Sequence, residues 1–458
     1  MSKLKVASLF CGCGGSDLGM IGGFEYLGKK YKSLDFEIVY AVDFDPKAVE
    51  TYNANFKHKA VCADVTKVDF NDIDEDIDVM IGGFPCQSFS TVNPTKNTND
   101  ARANLYKEIV RFLHTKKPKY FICENVKGLL TLQKGEIIRK IVREFNGEGY
   151  FIQYRLLKAV EYGIPQRRER VIIVGIRKDM DILYSYPTGV NTLSHAVPLN
   201  KVIDNLAIDN QKYYFSERAV QGMKNAKNNM KRGLWQDLNS PCLTITSHLA
   251  KTSINSRDPV LMVDPDKEIY RRFTPREAAR IQSFPDDFSF PVTETSAYRQ
   301  IGNAVPPVFM WYVAEALQDC IKAPNKEARH YPTFEELESS KNWVQQSLFE
   351  PRALYISKKD KETLIAYCSK TEHKKLSTNM MFNYKIKDSD IEKHPELLRI
   401  RHLILHDKKA VIGYYIVDSV GLANSSTDNN DTRFLTYELE GTSEPIPIIR
   451  ENNFDKII

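Results

Sequence analysis

No apolar run in the 458 residues approaches the ~20 consecutive residues of a membrane-spanning helix. The opening residues, MSKLKVASLFCGCGG, hold no secretory apolar core followed by a small-residue cleavage site. These omissions read as a cytoplasmic protein with no membrane partner. Eight cysteines are scattered along the chain with one C-x-C pair, Cys11 and Cys13, and no C-x-x-C. That pattern disfavours a zinc site with paired ligands, and a disulfide framework would need an oxidising compartment. No internal repeat is evident. The dinucleotide fingerprint G-x-G-x-x-G is missing too: in SLFCGCGGSDLG its sixth position is Asp17, which argues against NAD or FAD.

What is present is ordinary in bulk and uneven in detail. A hydrophobic fraction of 42% and a charged fraction of 27% suit a soluble globular chain of two or three domains. Net charge is +5, but from residue 330 onward 18 basic groups face 20 acidic ones, which leaves 46 against 39 in the first 329 residues. Residues 211–258 hold eight basic groups against three acidic, a modest electrostatic footprint for a phosphate backbone or simply a solvated face.

From residue 4 to about 176, short β-branched runs alternate with helical stretches. LKVASLF precedes a helical DLGMIGGFEYLGKK, FEIVYAV precedes DPKAVETYNANF, IDVMIGG precedes ARANLYKEIVRFLH, and YFIC precedes KGEIIRKIVREF; the strands YFIQYRLLKA and RVIIVGI follow. Such alternation predicts a doubly wound, mostly parallel α/β sheet, with ligands bound beyond the carboxyl ends of the strands. It stops near residue 182. Residues 183–269 are irregular, basic and rich in Asn and Ser, with a β-prone CLTIT. Helical pattern returns at PREAARIQSF and PPVFMWYVAEALQDC, each with proline where a first turn tolerates it. A third region reaches residue 458, with apolar segments LRIRHLILH and KAVIGYYIV and a loop-like GLANSSTDNNDT.

Several strand ends carry reactive or polar groups. Gly12, Gly14 and Gly15 follow the first strand and let a ligand lie against bare backbone, or else form a plain tight turn. Asp43 ends the next strand, where a carboxylate accepts from a ribose diol, and Asp64 ends a third, where it meets an adenine amino group; either one alone suits a helix cap equally well. Cys86 follows the fourth strand and Glu124 the fifth, so thiol and carboxyl share one edge of the sheet. A cysteine there is a nucleophile if its substrate is activated, and an acid such as Glu124 supplies that activation; a packed, inert thiol is the bland alternative. Arg168 and Arg170, two apart at a strand start, are expected on one face, suited to a carbonyl or phosphate or to surface pairing.

In order, LFCGCGG, GGFPCQSFS, ENVKG, QRRER, RRFTPREAARIQSFPDDF and YRQIGNAVPP closely resemble the motifs of the DNA cytosine-5 methyltransferases, the S-adenosylmethionine-dependent enzymes of bacterial restriction-modification systems. The match covers about residues 4–325. The resemblance implies a Rossmann-like catalytic domain (1–182), a target-recognition region (183–269), a return to the catalytic domain (270–328) and an extension of unknown role (329–458). It implies that Cys86 attacks C6 of a flipped-out cytosine, that Glu124 binds N3 and the amino group, and that Arg170, supported by Arg168, holds O2 or phosphate. Phe10, Gly12, Gly14, Gly15, Asp43, Asp64, Pro85, Leu105 and Asn303 match cofactor contacts; at the ribose position the family commonly has Glu where this chain has Asp43. Gln87, Ser88, Ser90 and Arg102 belong to the active-site loop over DNA, and Lys224, Lys227, Lys231 and Arg232 are expected to meet phosphates. No metal is implied. Duplex DNA is the expected partner of a monomeric, nucleoid-associated protein, with a restriction endonuclease as a genetic partner only. The alternatives are the same chemistry on tRNA and an inactive DNA-binding paralogue.

Overall fold

A computed structural model describes residues 3–85, 105–180, 182, 184–191, 195–225, 235–251 and 259–322. Beyond these it describes 343–349, 352–357, 363–368, 376, 381–387, 391, 395–406, 411–424 and 432–439. Strand β1 (Leu4–Leu9) leads through the glycine turn into helix α1 (Gly15–Ile21). The helical pattern expected through residue 30 ends there. Phe24, Tyr26 and Tyr31 are all buried, a two-residue spacing that a strand satisfies and a helix does not. They form the hairpin β2 (Phe24–Tyr26) and β3 (Lys29–Tyr31), with the Phe24 and Tyr31 rings stacked at 5.0 Å.

β4 (Phe36–Asp43), α2 (Pro46–Asn55), β5 (Val61–Cys62), β6 (Val79–Gly82), α3 (Tyr106–Lys116), β7 (Tyr120–Val126), α4 (Glu136–Gly147), β8 (Tyr150–Lys158) and β9 (Glu169–Arg177) complete the catalytic sheet. Its order is β5-β4-β1-β6-β7-β9-β8. The first five strands run parallel, and β9 lies antiparallel between β7 and β8. Alternate residues feed two cores. Val6, Ile38, Ile81 and Ile122 pack on one side, and Ala7, Leu9, Met80 and Phe121 on the other, as a sheet covered on both faces requires.

The region from 183 to 269 holds α5 (Glu217–Asn225) and β10 (Leu261–Asp264), which pairs with β11 (Ile269–Arg271). The CLTIT segment contributes an isolated bridge from Cys242 to Gln166 in place of a strand. Helices α6 (Pro275–Ile281), α7 (Glu294–Asn303) and α8 (Pro307–Lys322) return to the catalytic sheet. α8 lies along α1, the Trp311 ring meeting Tyr31 edge-on at 5.2 Å.

The third region folds as β12 (Trp343–Phe349), β13 (Arg352–Ser357), β14 (Thr363–Tyr367), β15 (Met381–Lys387), β16 (His402–His406), β17 (Val411–Asn424) and β18 (Thr432–Leu439). Part of the stretch expected as a loop, Gly421 to Asn424, is strand, and it joins the catalytic domain. β17 pairs parallel with β8, Ser419 opposite Ile152 through Leu422 opposite Arg155. The junction is cemented by Gln153, whose Nε2 donates to the carbonyls of Tyr184 (3.1 Å) and Leu398 (2.6 Å), and by the Arg401 guanidinium 4.4 Å from the centre of the Phe151 ring. Among the described residues the two sets of strands form one continuous 14-stranded sheet.

Candidate active site

The carboxyl ends of β1, β4 and β5 lie side by side, with the Gly12 turn, Asp43 and Asp64 at or just beyond them. Gly12 adopts φ 55°, and a Cβ at this position would point into open space, so the turn leaves a cradle that a side chain would fill. Its N–H donates to Asp43 Oδ2 at 2.9 Å, and the Asp45 N–H donates to Asp43 Oδ1 at 2.9 Å. Burial raises the Asp43 carboxyl above the ordinary value, against the pull of these backbone donors. Gly14 caps α1 and Gly15 begins it; Phe10, just before the turn, has φ 57°. Cys11 and Cys13 are buried, and burial pushes both thiols up, Cys13 to about 12, so they are neutral packing groups here.

Asp64 stands beyond the end of β5 rather than in it. It caps a 3-10 turn, its Oδ1 accepting from the Thr66 N–H (3.0 Å) and hydroxyl (2.8 Å). The cap and ligand readings are therefore compatible, because Oδ2 has no partner among the described residues and the side chain is exposed. Between the two aspartates, Phe44 is 75% exposed, a ring face beside Asp43 that pattern reading overlooked; an aromatic immediately after an acidic strand end was the signal.

At the next strand ends, Glu124 lies within β7 rather than after it. Arg170 Nε stands 2.7 Å from Glu124 Oε1, both side chains largely buried. The N–H is not aimed along that line, so Oε1 is short of a full hydrogen bond. Burial lowers the Arg170 pKa and Glu124 opposes the shift. On the adjacent strand end, a Cβ on Gly83 would stand 3.5 Å from Glu124 Oε2, so the backbone leading to Pro85 passes directly by the carboxylate. Asn125 donates from Nδ2 to the Phe84 carbonyl at 2.9 Å and is buried. It ties β7 to the stretch carrying Pro85, a role found only by asking what a polar residue does in an apolar strand. Cys86, Gln87, Ser88, Ser90 and Arg102 lie outside the described residues; Leu105 is the cap position of α3, and Asn303 is exposed at the end of α7.

Arg168 departs from expectation. It precedes β9 and is fully buried, donating to the carbonyls of Ile245 (3.3 Å), Gly302 (3.3 Å) and Ala304 (3.0 Å). Its two terminal nitrogens bind backbone while its Nε is left without a hydrogen-bond partner among the described residues, and the ion pair with Glu124 is made by Arg170. Neighbouring Gln166 accepts from the Ile245 N–H at 3.1 Å and donates to Gln282 Oε1 at 2.6 Å. Together they fasten the 242–247 strap over Gly302, where a Cβ would collide with the Thr246 carbonyl carbon at 2.2 Å. The 242–247 strap and the turn at Asn303 are thereby joined through backbone contact. Of the expected phosphate contacts, Lys224 pairs with Glu268; Lys227, Lys231 and Arg232 lie outside the described residues.

A doubly wound sheet with a glycine cradle and two acidic strand ends defines the Rossmann-like α/β class of S-adenosylmethionine-dependent methyltransferases. The profile of C-5 cytosine-specific DNA methylases matches residues 4–319. Type II methyltransferase M.NgoFVII of Neisseria gonorrhoeae is 35% identical over 335 residues, covering 67% of this chain and 84% of the relative. Type II methyltransferase M.NlaX of Neisseria lactamica is 34% identical, covering 70% and 97%. In fold, the methyltransferase EhMeth of Entamoeba histolytica superposes with a TM-score of 0.55 at 20% identity, over 70% of this chain and 99% of that one. The chain belongs to the C-5 cytosine-specific DNA methylase family, and by that membership it is a DNA (cytosine-5) methyltransferase.

Proposed function

We propose that the chain methylates C5 of a cytosine turned out of a specific duplex DNA sequence, using Cys86 as the nucleophile. The observation that carries this reading is the buried Glu124–Arg170 pair at 2.7 Å, set beside the bare Gly83 backbone two residues before Pro85 and three before Cys86. S-adenosylmethionine supplies an electrophilic methyl group. Gly12, Asp43, Phe44 and Asp64 would hold its adenosine, with Phe10, Gly14, Gly15, Pro85, Leu105 and Asn303 as further contacts.

The Cys86 thiolate adds to C6 while Glu124 holds N3 and the amino group and Arg170 holds O2, so charge pushed into the ring is met by fixed partners. The methyl group is transferred to C5, which then gives up its proton to water as the C6–S bond breaks, returning the Cys86 thiolate and restoring the ring. The base must leave the stack at a cost of a few kcal/mol, recovered at its Watson–Crick edge. Residues 183–269 read the target, with Lys224, Lys227, Lys231 and Arg232 near phosphates and Gln87, Ser88, Ser90 and Arg102 over the flipped base. The enzyme acts as a cytoplasmic monomer on the nucleoid, its cognate restriction endonuclease a genetic partner.

Purified protein is expected to transfer labelled methyl groups from S-adenosylmethionine to duplex DNA, and Cys86→Ala to abolish transfer while keeping cofactor binding. Label accumulating in tRNA and not in DNA overturns the substrate. Activity persisting in the Cys86→Ala protein overturns the mechanism. Bisulfite sequencing of a host genome then gives the target site.

A further inference from the structure

The segment between β5 and β6 has little regular structure to hold it. β5 is two residues long and exposed on both, and the rest is two single 3-10 turns, Val65–Lys67 and Phe70–Asp72. Asp64 sits at its start, so the aim of its carboxylate depends on what anchors this stretch to the domain. β5 itself contributes one backbone tie at that point, from the Ala63 N–H to the Asp43 carbonyl at 3.0 Å.

The anchor is Arg111 on α3. Its Nη2 donates to the Val65 carbonyl at 2.7 Å and its Nη1 to the Val68 carbonyl at 2.8 Å, bracketing the turn that Asp64 caps. Its guanidinium lies 4.0 Å from the centre of the Phe70 ring, which is fully buried and packs edge-on against Phe112 of the same helix at 4.9 Å. Glu108, one turn earlier, accepts from Arg111 Nε at 2.8 Å and fixes the fork. Farther along the helix, Lys116 Nζ donates to the Ile73 carbonyl at 2.7 Å. All three nitrogens of the guanidinium are thus used, two on the turn and one on an orienting carboxylate, a geometry that a lysine ammonium cannot reproduce.

We propose that Arg111 is a positioning residue for the adenine end of the cofactor. It locks the Asp64 turn so that Oδ2, the oxygen that Thr66 leaves unbound, faces the adenine amino group. Arg111 itself touches neither cofactor nor DNA. The inference rests on Asp64 being the acceptor for that amino group, and it makes Arg111 a determinant of cofactor specificity rather than of the chemical step.

The test uses the full chain and two ligands that differ only at the C6–N1 edge of the base. S-adenosylhomocysteine offers an amino group to Asp64 beside an N1 acceptor, whereas S-inosylhomocysteine offers a carbonyl oxygen beside an N1–H, and the Asp64→Ala protein isolates the share of the preference that belongs to the amino group. Calorimetry on the unaltered protein should find the adenosyl ligand bound at least about tenfold more tightly. Arg111→Ala should weaken the adenosyl ligand by about tenfold with little change for the inosyl one, so that the preference collapses; Arg111→Lys should fall between. The KM for S-adenosylmethionine should rise with kcat held within about twofold. An Arg111→Ala protein with a native circular dichroism spectrum and an intact adenosyl preference overturns the proposal. Should that variant fail to fold, Arg111→Lys reads the same ratio. Asp64→Ala is measured in parallel: if it abolishes the preference and the Arg111 variants do not, only the positioning role fails, whereas an unchanged preference in Asp64→Ala removes the underlying reading of Asp64.

Discussion

Asp17 is fully buried, and no cation stands beside it among the described residues. Its oxygens accept from the Ser8 hydroxyl at 3.0 Å and the Tyr52 hydroxyl at 2.9 Å, and burial pushes its carboxyl up to about 7. A carboxyl that holds its proton more firmly folded than unfolded contributes stability that is complete below about pH 4 and lost as pH rises through about 7. Asp17→Asn should therefore raise the Tm by a few degrees at pH 8 and by much less at pH 5, checked by thermal melts across that range. Two of the three arginines of QRRER, Arg168 and Arg170, also part company. Arg168→Ala strands three buried carbonyls and should cost roughly 3 kcal/mol of unfolding free energy in urea titration. Arg170→Ala should instead lower methyl transfer by about 100-fold while S-adenosylhomocysteine still binds. Asp43 and Glu124 were legible in the sequence because strand patterns put them on one sheet edge. The duty of Arg168 was not, since bonds to carbonyls 77 and more residues away leave no local signature.

At the scale of elements, the segment RRFTPREAARI shows how much one helix start can hold. Thr274 and Glu277 form a reciprocal capping box around Pro275, and Glu277 also receives Arg271 through Nη1 at 2.8 Å and Nη2 at 2.7 Å. Arg271 is fully buried and further donates to the Leu206 and Asn205 carbonyls, binding residues 205–206 to α6. Glu277→Ala removes a cap and leaves a buried guanidinium without its counter-ion, so a loss of about 3 to 5 kcal/mol is expected in chemical denaturation. The proline marked this helix in the sequence, but the ion pair could not be read there, because both partners look like ordinary surface charges until β11 is seen to deliver Arg271 inward. The β2–β3 hairpin was missed for the reverse reason: a helical period was followed past Ile21 where buried Phe24, Tyr26 and Tyr31 demand a period of two.

At the scale of the whole molecule, the family profile ends at residue 319, yet the sheet runs on into the strands beyond 343. Sequence reading separated that region because parallel pairing of β17 with β8 depends on register between distant segments. The pocket proposed for the cofactor lies at the opposite end of the strand order, on β1, β4 and β5. A chain ending at residue 328 should therefore still bind S-adenosylhomocysteine, but with the β8 edge uncovered it should self-associate, visible as concentration-dependent mass in light scattering. The same register has a consequence in time. Ile152 and its partner Ser419 are separated by 267 positions, and at ~5 to 20 residues per second the ribosome needs roughly 13 to 53 s to deliver the second after the first. Throughout that interval the nascent enzyme carries an open strand edge, which makes the speed of translation and the supply of ribosome-bound chaperones determinants of its yield.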